Sequence, residues 1–374
     1  MEQALCISAD SHVVEPIELF EPLRKRYGDR APHVVVTDDF GAQLNLGDGR
    51  LGLPIGGFFQ VGADFKNPDT RAEIRKGYAL ARPGCYDIEA RIADQDIDGV
   101  HAEVLYPSVM FNVYQITDTA IVNDAFAAYN NWTADYCATA PTRLYPLACI
   151  QLRDLDLAIA EMERAKDLGH VGVCIPATAP PEHPYTDPWY DRFWDAAQQM
   201  NMPLTMHIFT GATANHGVNH PQAAYALAFT GVMFSIADLI MSGVCERFPN
   251  LKFVPTEFET GWVGIMLRRL DSVYERRGGH KGPGHPPRLP SEYWKQNFLV
   301  TFEDDEIGVL TRHISGHHTL MWGNDYPHGD SVFPHSQKVL EDVMAGCTAR
   351  ERFDMTVRNV VDLYDLDAFR DQVR

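Results

Sequence analysis

Eight short apolar runs of strand-like character lie along the chain, and stretches whose apolar residues fall at helical spacing alternate with them. The strand-like runs lie at 4–9, 100–106, 145–150, 171–175, 203–208, 252–257, 298–302 and 320–323. Helical patterns follow from about Asp118, over 155–167, 190–200, 223–248, 261–276 and 306–313, and from Ser336 onward. Parallel strands need a crossover between them, so strict β–α alternation calls for a parallel sheet. Eight such units call for an α/β fold of the (β/α)8 TIM-barrel type. At 374 residues the chain is long for one domain, a length that barrels reach with insertions.

Residues 32–84 break the alternation. They are Gly-rich with short polar strand-like pieces, and are read as an insertion near the N-terminus that caps the C-terminal face of the barrel. A second loop, 278–290, is dense in Gly, Pro and His. The expected organisation is a single metal-dependent barrel domain over 1–374, with 32–84 inserted in it.

Active sites in such barrels form at the C-terminal ends of the strands. The first run ends in Asp10-Ser11-His12, and alternation along a strand sends Asp10 and His12 to the same side. The fifth ends in His207, the sixth in Glu257. The eighth ends in Asp325, with His328 one turn further on. Carboxylate and imidazole donors suit zinc, manganese or iron. Metal-ligating residues at strand ends near both termini fit a closed barrel whose first and last strands are neighbours. The remaining runs end in Tyr106-Pro107, Gln151, Pro176 and Glu303, none with a paired histidine. His317 and His318 precede the eighth strand and face the opposite end of the barrel. His280 and His285 lie in a loop, whereas His216 and His220 follow the fifth strand on the correct face for substrate.

A formal net charge of −19 repels polyanions, so neither nucleic acid nor an anionic membrane is an expected partner. Seven cysteines show no CxxC spacing, and Cys6, Cys149 and Cys174 sit inside apolar runs as small buried hydrophobes. That usage fits a reducing compartment. No signal-peptide pattern and no apolar stretch of membrane-spanning length is read, so the expected location is cytoplasmic.

The motifs together resemble the amidohydrolase superfamily, in the branch that contains aminocarboxymuconate semialdehyde and gamma-resorcylate decarboxylases. The resemblance rests on Asp10-Ser11-His12 with Glu15-Pro16, Arg91 to Asp94 before Asp98-Gly99-Val100, and Thr205-Met206-His207. It continues through Phe248-Pro249-Asn250-Leu251-Lys252, Trp322 to His328, and Asn359. It implies a divalent metal on Asp10, His12, His207 and Asp325. Decarboxylating relatives usually carry a histidine at the end of strand six, where it activates water or protonates a ring carbon. Glu257 stands at that position here. With His328 nearby, that carboxylate gives a site of three carboxylates and three imidazoles that can hold one ion or two.

Three reactions follow. The first expectation is hydrolysis by metal-activated water, with Asp325 as general base and Glu257 and His328 as further catalytic residues. The second is hydroxylation by a dinuclear non-heme iron centre, which a few similar superfamily members carry out on small acids. The third is non-oxidative decarboxylation. The expected substrate is a small carboxylated or aromatic organic molecule, in a mouth that gathers Tyr106, Phe111, Phe209, Trp262 and Tyr326. Arg91 is read as the partner of Asp94 or Asp98 in an ion pair rather than as a carboxylate anchor. The resemblance also implies a homodimer, to which the apolar helix at 262–270 lends itself as readily as to the core.

Overall fold

A computed structural model describes residues 4–180, 182–211, 218–277 and 286–374. His216, His280 and His285 lie outside the described residues. The strands, in chain order, are β1 (Ile7–His12), β2 (His33–Thr37), β3 (Gly41–Asn45), β4 (Leu51–Pro54), β5 (Ala102–Tyr106), β6 (Leu144–Cys149), β7 (Gly172–Pro176), β8 (Leu204–His207), β9 (Phe253–Thr256), β10 (Val300–Phe302) and β11 (Leu320–Trp322).

The strand-like runs of the sequence become β1 and β5 to β11. Six of them form a parallel sheet in the order β1-β5-β6-β7-β8-β9, and β10 pairs in parallel with β11. Backbone contacts join these into a ring. Leu299 N donates to Phe253 O at 3.0 Å between β9 and the entry to β10. Beyond β11, Asp325 N donates to Asp10 O at 2.9 Å and His12 N donates to Tyr326 O at 2.7 Å. The fold is therefore a (β/α)8 barrel, closed where its first and last strands meet. Gly323 makes that seam possible, because a Cβ there would fall 2.4 Å from the Cβ of Asp10. Every residue of these eight strands is buried, as expected of parallel strands covered by side chains inside and helices outside.

The helices follow the sequence pattern where caps and apolar spacing agree. Asp118 and Asp154 accept hydrogen bonds from the first turns of Thr119–Ala138 and Leu155–Asp167, which fixes both starts. Two expected helices are broken. The stretch 223–248 divides into Pro221–Ala226, Phe229–Met241 and Val244–Arg247, the last break falling at Gly243 with φ of 78°. The stretch 306–313 divides at Thr311 into Glu306–Leu310 and Arg312–Ser315.

The membrane reading of the sequence also needs correction. The run Pro221–Met241 is long and apolar enough to cross a bilayer by length and composition, with a mean hydropathy of 1.7. In the fold it divides after Ala226, and Val232, Ile236, Leu239 and Ile240 pack into the core.

Strands β2, β3 and β4 form an antiparallel sheet within the 32–84 segment. That segment is fastened to loops at the C-terminal ends of the barrel strands. Leu53 N donates to Asn112 Oδ1 at 2.9 Å, and Val61 N donates to Pro327 O at 3.1 Å. The ring of Phe58 lies 5.5 Å from that of His328, so the insertion covers the barrel mouth.

Candidate metal centre

The closed ring brings Asp10, His12, His207, Glu257, Asp325 and His328 together. Asp10 and His12 point inward from β1, and His207 ends β8. Glu257 and Asp325 follow the last residues of β9 and the β11 turn in left-handed backbone, with φ of 60° and 49°. Non-glycine residues rarely adopt that conformation, and its cost of roughly 1–3 kcal/mol is met where the surroundings demand the side-chain direction it gives.

Each imidazole is oriented by a bond on one nitrogen that leaves the other facing the centre. His12 Nδ1 lies 2.7 Å from Pro107 O, and His207 Nδ1 lies 2.9 Å from Ile208 O. Both carbonyls can only accept, so these nitrogens donate, and each Nε2 faces the centre, where it can bind a metal once unprotonated. His328 Nε2 pairs with Ser108 Oγ at 2.9 Å, turning Nδ1 toward Asp325 Oδ1 at 3.0 Å. The His328 ring stacks on His12 at 3.8 Å. Phe111 stacks on His207 at 4.3 Å, and Tyr106 lies 4.8 Å from the same ring.

The donor atoms face one another. His12 Nε2 lies 3.1 Å from Asp325 Oδ1, 3.5 Å from Asp10 Oδ1 and 3.7 Å from Glu257 Oε2. His207 Nε2 lies 3.2 Å from Glu257 Oε2 and 3.7 Å from Asp10 Oδ1. Asp10 Oδ1, His12 Nε2, His207 Nε2, Glu257 Oε2 and both carboxylate oxygens of Asp325 are buried without a hydrogen-bond partner. Such orphaned buried atoms are costly unless something satisfies them. Metal–ligand bonds near 2 Å place neighbouring ligands roughly 3–3.5 Å apart, the range in which most of these separations fall. The donors form two sets, His12–Glu257–Asp325–His328 and Asp10–His12–His207, each with ligand atoms within 4.8 Å of one another, and His12 belongs to both. These residues fit a bound divalent cation.

The electrostatics show how much positive charge the site demands. Burial raises the Asp10 and Asp325 carboxyls, but the neighbouring imidazoles override it and hold both below their usual range. Burial lowers His12, while Asp10 and Asp325 push it up to about 9. Burial dominates at His207 and His328 and lowers both. Glu257 is driven well above the carboxylate range by burial and by repulsion from Asp325 and Asp10. Glu303, at the end of β10, is driven up in the same way by burial and by Asp325, Glu259 and Glu257.

Glu303 is the acid that sequence reasoning passed over, because its strand end carries no histidine; its place at a barrel strand end was the available signal. Ser108, which orients His328, and Thr301, whose Oγ1 donates to Asp10 Oδ2 at 3.3 Å, gave no signal.

Several expectations are corrected. Arg91 is fully buried and pairs with Glu103 at 2.7 Å, not with Asp94 or Asp98, and its Nη1 donates to His12 O at 2.7 Å. It supports the backbone beneath the site and is out of reach of a substrate. Trp262 donates to Phe258 O and Glu259 O and packs against Trp294 in the core, and Tyr326 donates to Asp94 Oδ2, so neither lines the mouth. Of the helix expected at 262–270, Val263, Met266 and Leu267 are buried and Ile265 is exposed. His220 is exposed, and His317 faces Asp354 at the opposite end of β11 from the centre.

The amidohydrolase family profile matches residues 87–366. A gamma-resorcylate decarboxylase of Polaromonas sp. (strain JS666 / ATCC BAA-500) is 29% identical over 202 residues, covering 50% of this chain and 60% of that enzyme. The crystal structure of an amidohydrolase from Mycobacterium avium subsp. paratuberculosis K-10 superposes with a TM-score of 0.77 at 20% identity, over 96% of this chain and 97% of that one. A dihydroxybenzoic acid decarboxylase from Polaromonas sp. JS666, solved with bound manganese and 2-nitroresorcinol, superposes with a TM-score of 0.66 at 17% identity, over 97% of each chain. At these identities the structural likenesses show the fold.

Proposed function

The chain belongs to the amidohydrolase family, and on that premise we propose a metal-dependent enzyme that acts on a small carboxylated or aromatic organic molecule at a centre of two divalent ions. One observation carries this reading: Glu257 stands among Asp10, Asp325 and three imidazoles, with Glu303 close enough to repel it. Ionised together, four buried carboxylates would exceed the charge of one divalent ion by two, and a second ion would keep Glu257 and Glu303 ionised against the burial and repulsion that otherwise hold them protonated. Asp10, His12 and His207 would hold one ion. Glu257, Asp325 and His328 would hold the other.

A set of three carboxylates and three imidazoles without thiolate suits a pair of iron or manganese ions. It therefore favours hydroxylation by dioxygen at a pair of irons, the second of the three reactions. When bound, such a pair supplies dioxygen activation, and an external two-electron donor with two protons balances insertion of one oxygen atom against release of water. The chain's own part is to orient, exclude and carry protons. Asp325, held ionised between His12 and His328, is placed to pass protons to the centre. Tyr106, Phe111 and Phe58 wall the imidazoles against water.

Decarboxylation is the second reading, favoured by the Polaromonas relative, whose name states that activity. Hydrolysis, the first expectation from the sequence, is matched by the name of the Mycobacterium avium amidohydrolase, a likeness that shows the fold alone. Metal analysis of protein from iron-fed and manganese-fed cultures, with dioxygen uptake and carbon dioxide release assayed on 2,6-dihydroxybenzoate and on aliphatic acids, separates the readings. About two irons per chain with dioxygen uptake supports the proposal. One ion with carbon dioxide release overturns it in favour of decarboxylation.

A further inference from the structure

Glu15, three residues beyond His12, is a fully buried acid that the proposed chemistry leaves unused. Its carboxylate accepts three backbone bonds from one short segment. Oε1 receives Ser108 N at 3.0 Å and Met110 N at 3.0 Å, and Oε2 receives Val109 N at 2.9 Å. These N–H groups lie at the start of the 3-10 helix Val109–Gln115, where donors have no partner within the helix. A serine just before a helix ordinarily satisfies such donors with its own hydroxyl. Ser108 holds that place, yet its side chain makes no capping bond.

The Ser108 hydroxyl is engaged elsewhere. Its Oγ donates to Val13 O at 2.8 Å, a carbonyl that can only accept, so the hydroxyl proton is committed there. What remains on Oγ is a lone pair, and His328 Nε2 stands 2.9 Å from it. The imidazole nitrogen must therefore donate in that bond. That leaves Nδ1, which faces Asp325 Oδ1, as the nitrogen that can bind an ion once unprotonated. Glu15 bears on a second imidazole as well. Pro107 O, which receives His12 Nδ1, and Ser108 N, which donates to Glu15, belong to one planar peptide unit. Holding the N–H end of that plane fixes the carbonyl at its other end.

An acid is costly to bury, and burial pushes the Glu15 carboxyl up against the pull of its backbone donors. A serine at the same helix start could cap it without that cost, were its hydroxyl free. We propose that Glu15 is a positioning residue for the metal centre. By capping the helix in place of Ser108 it leaves the Ser108 hydroxyl to hold His328, and by fixing the peptide between residues 107 and 108 it sets the carbonyl that holds His12. The inference rests on the reading of His12 and His328 as metal ligands and adds what orients their rings. Without the Glu15 carboxylate the serine would turn to the bare N–H groups. His328 would then lose its partner, and the carbonyl facing His12 would be free to tilt.

The test is isothermal titration of manganese into chelator-stripped wild type, Glu15→Gln, Ser108→Ala and the double variant. Ser108→Ala is expected to weaken the more loosely held manganese about tenfold, as loss of a ligand's supporting partner does at metal sites. Glu15→Gln, which puts an amide among N–H donors, is expected to weaken manganese at least as much while its circular dichroism stays that of wild type. The double variant is expected to bind no more weakly than Glu15→Gln alone, because the acid acts through the serine. Losses that multiply in the double variant, or a Glu15→Gln protein with wild-type affinity, overturn the proposal. Hydrogen exchange decides the matter even where Glu15→Gln does not fold. The amides of Val109 and Met110 are expected to exchange as slowly in Ser108→Ala as in wild type, and fast exchange there would make the serine the cap and overturn the proposal. One manganese per wild-type chain, with the same pattern across the variants, supports the positioning role and overturns the two-ion centre instead.

Discussion

Glu257 Oε2 stands 3.2 Å from Nε2 of His207 and 3.7 Å from Nε2 of His12, so one carboxylate oxygen faces the imidazoles of two different barrel strands. It reaches there from left-handed backbone, beyond the end of β9, and is left without a hydrogen bond. Glu257→Gln keeps the shape and removes the charge. It should weaken one of the two proposed ions by roughly 10- to 100-fold, the scale on which metal sites respond to loss of a supporting group. In the chelated protein the same change relieves repulsion from Asp325 and Asp10, so the apo form should unfold at a higher temperature than apo wild type. Elemental analysis after dialysis reads the first effect, and calorimetric unfolding in chelator reads the second.

Asp325 lies between two imidazoles, 3.1 Å from His12 Nε2 and 3.0 Å from His328 Nδ1. Those neighbours keep it ionised despite burial and make it a weak base, which suits a group that passes protons on rather than holding them. Asp325→Asn is expected to lower turnover by about 10²- to 10⁴-fold, the usual contribution of a positioned general base. Its circular dichroism and folded volume should match wild type, because the backbone bond from Asp325 N to Asp10 O remains. A variant that keeps full turnover would remove Asp325 from the proton path.

The barrel was legible because its strands are uniformly apolar and their ends carry the few polar residues that point inward. Asp10, His12, His207 and Asp325 are recognisable from position alone, since a strand end fixes where a side chain goes. Glu303 was not, because what gives it significance is a set of acids on other strands, and cross-strand neighbours cannot be counted along one chain. Arg91 misled for a related reason. Asp94 and Asp98 share its helix, but Asp94 receives Arg82 and Tyr326, and Asp98 receives Ser336 and Asn324, so the free carboxylate is Glu103 on the adjoining strand. The division of the 223–248 stretch depends on the local turn at Gly243, to which an apolar periodicity is blind.

His170 gives the fold an acid-sensitive point remote from the metals. Buried against Thr133 Oγ1 and Ala165 O, it is pushed by burial down to about 4. The unfolded chain binds a proton near pH 6.5 and the folded chain does not, so the stability this residue contributes is complete above about pH 6.5. It falls as the pH drops through that window and is gone below about 4, a loss of roughly 3 kcal/mol. Urea unfolding of the chelated protein at pH 7 and pH 4.5 should show wild type losing more stability than His170→Gln. Equal losses in the two proteins would mean that other groups set the acid response.

The pair beneath the site offers a test of what holds β1 in place. Arg91 Nε donates to Glu103 Oε2 at 2.7 Å, Gln95 Nε2 donates to the same oxygen at 2.7 Å, and Arg91 Nη1 donates to the carbonyl of His12. Both charges of the pair are buried, so removing one strands the other. Arg91→Leu should therefore cost roughly 3–5 kcal/mol in unfolding experiments. Arg91→Leu combined with Glu103→Leu removes both charges and should recover most of that loss, since a buried ion pair is worth little more than the apolar groups that replace it. Recovery of stability need not bring back metal binding. The carbonyl of His12 still lacks its donor in the double variant, so the ligand end of β1 is less firmly held. Thermal stability restored alongside weakened metal binding would identify Arg91 as a positioning residue for the centre. Stability and metal binding restored together would limit its role to the fold.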